Sequence, residues 1–494
     1  MRVQSIFKVL ACAAAALMIN ITEAVAENPK REFRGAWMHT VFQGQYKNQS
    51  TDQNKQYIRE QLDKLKDAGV NAVFFQVRPQ SDAFYKSDIE QWSIYLTDGG
   101  KAPAPFWDPL EFIIEEAHAR GMELHAWLNP YRVTASAKQT VPAGHIYHKH
   151  PERFVTYDGK VYFDPGYPQN QKYIEKVVAD IVTRYDIDGI HFDDYFYPYP
   201  ANNKDFPDSK SYAKYGSGKA RDDWRRDNVN NLIKGLSTTI KSIKPWVRFG
   251  VSPFGIWRNK KSDPRGSQTN GLENYDALYA DVLLWAEKGW VDYLIPQIYW
   301  EREHQRASYD VLVDWWNNNS HGRHVYVGQD VEKTMCKADI DDKTQKSQLK
   351  SKIRQTRDAA NIEGSCWWPA YSLTKNSCGV VDSLKTDFHS SPAIVPAYTW
   401  ISDEIPESPY DLSVDGSRWL RWKALTCDNK VSDCVRFVVY RFDNDKSFDL
   451  ENSANIVAIT SEKSIMVNKP GYYVVTSLDR VNNESFPSEA IYIK

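Results

Sequence analysis

The chain has 494 residues, more than one ordinary hydrophobic core accommodates, so two or more domains are expected. Lys and Arg number 62 and Asp and Glu 64, which excludes a large net positive charge and, with it, the electrostatic reason to expect nucleic acid or an anionic membrane as partner. Apolar residues make up 42% of the chain, enough for globular cores. Aromatic residues reach 13%, with 17 Trp and 29 Tyr, and such side chains either stack on sugar rings or simply fill a large core.

Residues 1–26 have the pattern of an export signal. Arg2 and Lys8 carry positive charge, an apolar stretch follows over residues 9–21, and Ala24-Val25-Ala26 is a small-x-small cleavage site. Too little apolar chain precedes Cys12 for a lipoprotein cleavage box, so a lipid anchor is not favoured there. No later segment approaches about 18 uninterrupted apolar residues, so no membrane span is predicted. We therefore expect an exported protein in the periplasm, on the outer surface or secreted.

Five cysteines remain after cleavage of such a signal, and an oxidising compartment would permit disulfides between them. Cys427 and Cys434 flank a short polar loop and could bridge a hairpin, whereas Cys336 could pair with Cys366 or Cys378. The chain has neither a Cys-x-x-Cys pair nor a His-Glu-x-x-His motif. No metal site or cofactor is therefore predicted.

Taken in chain order, short apolar runs alternate with amphipathic helical stretches from residue 33 onward. The predicted strands cover residues 33–38, 70–77, 122–128, 187–192, 247–251, 291–298, 324–327 and 364–368. The predicted helices cover residues 54–68, 109–120, 171–185, a long segment ending near 243, then 273–288, 343–359 and 380–388. Continuous runs rich in Val, Ile and Phe are typical of strands buried on both faces. Eight of them separated by helices predict an α/β fold, a (β/α)8 TIM-type barrel over residues 31–390.

The pattern changes after residue 390. Several prolines fall within residues 391–408, which we interpret as a linker. Residues 409–494 then contain short alternating runs with turn signals and no helical period. They predict a small all-β sandwich domain.

In a barrel of this type the active site lies at the C-terminal ends of the strands. The residues that follow each predicted strand there combine carboxylates, amides, an Arg and many aromatics, which is the composition of a sugar-binding cleft. Asp193 and Asp194 follow the fourth strand and are the predicted catalytic residues. The predicted substrate-binding residues are Trp37, His39, Arg78, His125, Asn129, Tyr131, Asp164, Tyr195, Gln297, Tyr299, Trp300 and Trp368.

Glycosidic cleavage needs a proton donor and a second group that stabilises or traps the oxocarbenium-like centre. Neighbours in a regular strand point to opposite faces, but both carboxylates can face the cleft where the strand ends and the backbone turns. Two close carboxylates cannot both ionise freely, so one of Asp193 and Asp194 should hold a proton near neutral pH. The alternative is that one Asp binds neighbouring backbone or an Arg and only the other acts.

Four other candidates have alternative roles. Asp164 could instead cap the following helix or stabilise its own loop, and Glu301 could be a solvated surface charge. His125 lies within an apolar run and could belong to the core. Arg78 could bind a sugar hydroxyl or substrate carboxylate, or form an ion pair with Asp193 or Asp194.

Five segments occur in an order that resembles the bacterial glycosyl-hydrolase-like group 10 family, which includes peptidoglycan glycan-strand hydrolases. They are Phe33-Arg34-Gly35-Ala36-Trp37, Phe75-Gln76-Val77-Arg78-Pro79, His125-Ala126-Trp127-Leu128-Asn129-Pro130-Tyr131-Arg132, Asp188-Gly189-Ile190-His191-Phe192-Asp193-Asp194-Tyr195 and Pro296-Gln297-Ile298-Tyr299-Trp300. The resemblance spans roughly residues 31–390 and departs from the family pattern at His39 and Glu301. The C-terminal region resembles a fibronectin type III module.

The resemblance implies a cell-wall substrate of alternating N-acetylated sugars. In hexosaminidases with a similar Asp-Asp pair, one Asp orients the substrate acetamido group as internal nucleophile and the other protonates the leaving oxygen. We therefore hypothesise that Asp193 orients the acetamido group, or acts as nucleophile, and that Asp194 is the acid. The expected function is exported hydrolysis of peptidoglycan glycan strands by a monomer. The alternatives are hydrolysis of another polysaccharide, such as an α-glucan or a host glycan, and non-catalytic glycan binding.

Overall fold

The computed structural model describes residues 28–201, 204–425 and 430–494. The expected signal peptide, Cys12 and Cys427 lie outside the described residues. Within the described ranges, no helix is both long and apolar enough to cross a membrane.

Eight parallel strands close into a barrel in the order β1-β2-β3-β6-β7-β8-β9-β10, which confirms the predicted fold class. The strands of this region are β1 Phe33–Met38, β2 Ala72–Arg78, β3 Glu123–Leu128, β4 Phe154–Tyr157, β5 Lys160–Phe163, β6 Gly189–Phe192, β7 Arg248–Val251, β8 Tyr293–Leu294, β9 His324–Asp330 and β10 Ile362–Trp368. The pair β4 and β5 is an antiparallel hairpin outside the barrel, inserted between β3 and the next helix.

Helices connect the barrel strands and surround them. They are α1 Gly44–Asn48, α2 Thr51–Asp67, α3 Pro109–Ala119, α4 Pro168–Arg184, α5 Ser209–Tyr215, α6 Arg221–Ile243, α7 Asn274–Ala277, α8 Val282–Glu287, α9 Tyr309–Asn317, α10 Val331–Met335, α11 Leu349–Asp358, α12 Ala370–Thr374 and α13 Val380–Asp387. Local sequence explains several starts. Ser50 and Gln53 form a capping box at α2, and Asp108 caps α3 directly before a proline.

Several details differ from the predicted elements. The single helix predicted over residues 273–288 is wrong, because the chain breaks into α7 and α8 around Tyr279, whose φ of 54° is left-handed. The sixth strand is regular only at Tyr293–Leu294, since Pro296 has no N–H to donate to a neighbouring strand. Helix α9 and the β4–β5 hairpin were not predicted.

The barrel interior is a packed aromatic core. Phe33 stacks on Tyr326 with ring centroids 3.8 Å apart, and Phe74 lies 4.8 Å from the ring of His125. The hydroxyl of Tyr293 lies 3.0 Å from Nδ1 of His125 and so satisfies the buried imidazole. The interior is therefore filled by side chains, and a substrate can meet the barrel only at its ends.

The C-terminal residues form two antiparallel sheets, as the fold class predicts. Their strands are β11 Tyr410–Val414, β12 Trp419–Lys423, β13 Arg436–Phe442, β14 Ile456–Thr460, β15 Ser464–Met466, β16 Gly471–Leu478 and β17 Ile491–Ile493. One sheet has the order β11-β12-β15 and the other β14-β13-β16-β17. Leu420, Trp422, Phe437 and Val475 are buried in one of their apolar clusters.

A buried charge cluster joins these sheets to the end of the barrel opposite the predicted site. Glu123, the first residue of β3, lies 2.6 Å from Nη2 of Arg248 and 3.1 Å from Nη2 of Arg436 on β13. Asn482 donates to the same carboxylate at 3.0 Å. Burial alone would raise the pKa of Glu123, but the charges of Arg248 and Arg436 and a hydrogen bond from His125 lower it well below its usual range.

Of the two partners expected for Cys336, Cys378 is its neighbour. Their Sγ atoms are 3.2 Å apart at the surface, whereas Cys366 is buried in β10. Formation of this disulfide stays a prediction.

Replacement of Arg436 by Met should destabilise the protein by about 3 kcal/mol, because it leaves the buried carboxylate of Glu123 short of one cation. The free energy of unfolding in urea measures this change. The matched control is Arg421→Met, which removes an exposed ion pair with Asp415 on the same sheets and should cost less than about 1 kcal/mol. Equal effects of the two substitutions would contradict a special role for the buried cluster.

Candidate active site

The C-terminal ends of the barrel strands open into a cleft with two parts. An inner cavity of about 150 Å³ lies over the barrel, and an outer cavity of about 560 Å³ extends toward the surface. Trp127, Asp193, Tyr195 and Trp368 line both cavities, which are therefore continuous. Trp37, Ser252, Gln297 and Tyr299 complete the inner part, and the outer part includes His39, Val41, Phe42, Gln76, Arg132, Tyr157, Lys160, Tyr162 and Tyr199.

Asp193 faces this cleft directly after the end of β6. Its Oδ2 accepts a hydrogen bond from Nδ2 of Asn129 at 3.2 Å. Its Oδ1 accepts from Nε2 of Gln297 at 3.4 Å and from the backbone N–H of Asp194 at 2.9 Å. Two side-chain amides and one backbone amide therefore hold the carboxylate in one orientation.

Asp194 is buried beside Asp193 and does not line the cleft. The hydroxyl of Tyr199 donates to its Oδ2, while its buried Oδ1 has no hydrogen-bond partner in the described parts of the chain. Burial and, next, the negative charge of Asp193 raise the pKa of Asp194 well above its usual range. The adjacent carboxyls therefore hold one proton between them near neutral pH.

A chain of amides connects Asp193 to the first strand of the barrel. Nε2 of Gln76 donates to Oδ1 of Asn129 at 2.8 Å, and Oε1 of Gln76 accepts from the backbone N–H groups of Thr40 and Val41 at 3.0 Å. The side-chain oxygen and nitrogen of both Gln76 and Asn129 form hydrogen bonds, so the carboxylate of Asp193 and the loop after β1 are held in fixed relation to each other.

Aromatic rings form much of the cleft wall. Trp127 and Trp368 meet edge to face with centroids 6.2 Å apart, and Nε1 of Trp37 donates to His191 at 3.1 Å. The ring of His39 lies 4.9 Å from that of Trp368, and burial lowers its pKa to about 4, so the imidazole is neutral near pH 7. The neutral, aromatic wall suits the apolar faces of sugar rings.

Two cations extend into the outer cavity. The guanidinium of Arg132 lies 4.3 Å above the ring of Tyr195, and Lys160 projects from the β4–β5 hairpin. Neither forms an ion pair with any of the residues that the structure describes. Asp158 and Asp193 supply the negative charge of the same cavity.

The structure brings together seven of the predicted substrate-binding and catalytic residues as cleft-lining groups. These are Trp37, His39, Asp193, Tyr195, Gln297, Tyr299 and Trp368. Asn129 lies just behind the wall and contacts Asp193, and Asp194 lies beneath it. The remaining residues of the predicted set do not line the cleft.

Arg78 pairs with Glu90 at 2.7 Å, not with the Asp193–Asp194 pair, and His125 belongs to the barrel core. Asp164 accepts hydrogen bonds from the backbone N–H of Gly166 at 2.9 Å and from Oγ of Ser211 at 2.6 Å, which is the loop-stabilising alternative.

Tyr131 is buried, and Trp300 packs on Phe254 with centroids 5.3 Å apart. Glu301 also lies outside the cleft lining. None of Tyr131, Trp300 and Glu301 lines either cavity.

Several lining residues were missed, and two of them had a recognisable signal. Trp127 lies two residues from both His125 and Asn129, so strand alternation places it on the same side of β3. Arg132 directly follows a predicted residue, Tyr131. Tyr199 and Lys160 come from loops and an insertion, where strand periodicity gives no information.

Comparison with known proteins identifies the family. The model of the glycosyl hydrolase-like 10 family matches residues 32–345. The chain belongs to this family. "Glycosyl hydrolase YngK" of Bacillus subtilis is 38% identical over 475 residues, covering 93% of each chain. "Glycosyl hydrolase DigH" of Escherichia coli K12 is 41% identical over 315 residues, which are 59% of this chain and 71% of the relative.

Among solved structures, the catalytic domain of β-amylase from Paenibacillus polymyxa is similar with a TM-score of 0.48 and 12% identity, covering 73% of this chain and 99% of the other. The family and its relatives make this protein a glycoside hydrolase that acts on a polysaccharide.

Asp194→Asn should stabilise the protein at neutral pH. The folded protein holds the Asp194 proton more tightly than the unfolded chain, so the contribution of Asp194 to wild-type stability falls as pH rises above about 4, the ordinary carboxyl pKa. The neutral amide removes this dependence, so the gain should grow from about pH 4 toward neutral pH. Thermal unfolding across this range measures it.

Asp88→Asn, at an exposed position, is the control for the loss of one negative charge. A stability difference between Asp194→Asn and wild type that stays constant with pH would contradict a protonated Asp194.

Proposed function

We propose that this glycoside hydrolase is exported and cleaves glycosidic bonds in peptidoglycan glycan strands. The observation that carries the hydrolytic part is the Asp193–Asp194 pair, in which one carboxylate meets the cleft and its neighbour retains a proton. Such a pair supplies the two groups that glycosidic cleavage requires, a proton donor and a carboxylate.

Two cations in the outer cavity support an acidic substrate, although the cavity as a whole is balanced by Asp158 and Asp193. Arg132 and Lys160 line the outer cavity without ion-pair partners among the described residues. The muramic acid units of peptidoglycan carry a lactyl carboxylate wherever no peptide is attached, and a guanidinium is suited to bind a carboxylate through two hydrogen bonds. A neutral α-glucan offers no such group.

The arrangement of Asp193 supports a role at the anomeric carbon. Its carboxylate is held in the inner cavity by Asn129 and Gln297. We assign it to orient the acetamido group of an N-acetylated sugar, whose carbonyl oxygen attacks C1 as the leaving bond breaks. Asp193 as the direct nucleophile is the second option for this position.

Asp194 is the proton source in this mechanism, and Tyr199 connects it to the cleft. The hydroxyl of Tyr199 donates to Oδ2 of Asp194, and once Oδ2 carries the proton this hydrogen bond reverses: Asp194 donates to Oη, and the phenolic hydrogen points into the outer cavity. Tyr199 then transfers its proton to the leaving oxygen and receives the proton of Asp194. Water subsequently opens the oxazolinium ring and returns one proton to the pair, so the cycle closes.

The export pattern of residues 1–26 supports a location in the periplasm, on the outer surface or outside the cell, where peptidoglycan is found. We further propose that the two C-terminal sheets form a fibronectin type III-like module and that the protein acts as a monomer.

Asp193→Asn and Tyr199→Phe test the chemistry. Hydrolysis of purified, peptide-free glycan strands, followed by chromatography of the products, should fall by about 100-fold or more in Asp193→Asn, because the amide cannot balance positive charge at C1. Tyr199→Phe keeps the ring and removes the proton path, so its kcat should fall at least about tenfold. Asp88→Asn is the control. Full activity of Asp193→Asn would rule out the proposed site.

Arg132→Met tests the acidic substrate. Wild type should cleave strands with free lactyl carboxylates at least about tenfold better than strands whose carboxylates have been converted to amides, and Arg132→Met should lose this preference. Steady-state kcat/KM on both preparations measures it, and Arg354→Met, at an exposed position outside the cleft lining, is the matched control. Equal cleavage of both preparations by wild type, or faster cleavage of amylose, would favour a neutral polysaccharide.

A further inference from the structure

Phe42 adopts a backbone conformation at the mouth of the cleft that its residue type disfavours. The backbone N–H of Gln43 donates to the carbonyl of Thr40 at 3.1 Å and closes a β-turn with Phe42 at its third position. The φ of Phe42 is 60°, in the left-handed region, where turns favour Gly or Asn because a Cβ atom clashes with the backbone. A bulky aromatic residue therefore costs the folded chain conformational energy at this place.

The side chain recovers little of that energy by burial. Phe42 is 65% exposed, and its ring meets Tyr95 edge to face with centroids 5.8 Å apart. The ring lines the outer cavity on the same wall as His39 and Val41. Neither backbone preference nor the hydrophobic effect explains a phenylalanine here. A role for the ring in contacting a substrate in the cleft does explain it.

The turn that carries Phe42 is tied to the reaction centre. The backbone N–H groups of Thr40 and Val41 both donate to Gln76, which continues through Asn129 to Asp193. The hydroxyl of Thr40 also donates to the backbone carbonyl of Gln76 at 2.8 Å. These bonds hold the backbone of the strained turn in place relative to the carboxylate of Asp193.

We propose that Phe42 is a sugar-stacking platform, a distal subsite that binds a pyranose ring of the same glycan chain beyond the sugars next to Asp193. The apolar C–H face of a pyranose fits the face of an aromatic ring, and a turn whose backbone is held before binding needs less ordering when the sugar arrives. This inference rests on the proposed function only in requiring a polysaccharide long enough to reach from Asp193 to the cleft mouth.

Phe42→Gly tests the platform, since it removes the ring and provides the residue that the turn prefers. We expect its thermal midpoint to be equal to or higher than that of wild type. Its kcat/KM should fall about tenfold on long peptide-free glycan strands and far less on the shortest strand fragment that wild type cleaves. Phe42→Trp should restore the preference for long strands. Phe486→Ala, which removes a ring that is 71% exposed on the C-terminal sheets, is the matched control and should behave as wild type.

Two results would overturn the platform. One is a Phe42→Gly protein with a wild-type thermal midpoint and an undiminished preference for long strands. The other is an equal loss on long and short strands, which would show that the turn only positions Asp193. If Phe42→Gly fails to fold, Phe42→Asn replaces it, because Asn tolerates the same φ.

Binding separates this inference from the proposed function. The inactive variant Asp193→Asn is compared with the double variant that also carries Phe42→Gly. Their retention is measured by affinity electrophoresis in gels containing glycan strands, soluble chitin derivatives or amylose. If wild type cleaves no cell-wall strand, the proposed substrate is wrong. The platform is tested separately: the polysaccharide that retards Asp193→Asn should retard the double variant with Phe42→Gly less. Equal retention of the two in every gel would refute the platform.

Discussion

The buried carboxylate of Glu123 determines how the two parts of the chain can be arranged. A charge without water needs compensating charge at contact distance, and Glu123 obtains it from Arg248 of the barrel and Arg436 of the C-terminal sheets. A barrel without those sheets would have only part of that compensation. The same buried charges therefore hold the C-terminal sheets against the end of the barrel at which β3 begins. The opposite end, where the strands finish, remains open as the cleft.

At that opposite end, side-chain amides do the positioning. Gln76 and Asn129 arise from neighbouring barrel strands or their ends, and each uses both its oxygen and its nitrogen. An amide that both donates and accepts can connect a loop backbone to an ionised carboxylate without adding a charge of its own. Asp194 lacks comparable amide donors, and its burial beside Asp193 raises its pKa.

The barrel could be predicted because strands buried on both faces are continuous apolar runs, and the rule that sites lie at strand ends led to Asp193 and Asp194. Side chains within those runs were harder to assign. His125 bonds to Tyr293, 168 positions away, and Arg78 pairs with Glu90, 12 positions away, so neither side chain faces the cleft. The link between Glu123 and Arg436 spans 313 positions and has no local signal at all.

The β4–β5 hairpin is a different case, because its signal was present. Asp158 and Gly159, with φ values of 49° and 73°, connect two short apolar runs as a two-residue turn, a pattern that predicts a hairpin. Its contribution to the cleft follows only from the fold, which brings Lys160 and Tyr162 opposite the barrel strands.

The hairpin separates the residues that would contact the outer part of the substrate from those at the reaction centre. The reaction centre belongs to the ends of the barrel strands, whose alteration disturbs the core, whereas part of the outer cleft wall belongs to a hairpin that pairs with itself and, through Tyr162, with Arg132 just after β3. The turn of this hairpin, at Asp158 and Gly159, lies outside the barrel strands. Substitutions at that turn can therefore reshape the outer cleft wall at little cost in stability, while the barrel that positions Asp193 is left intact.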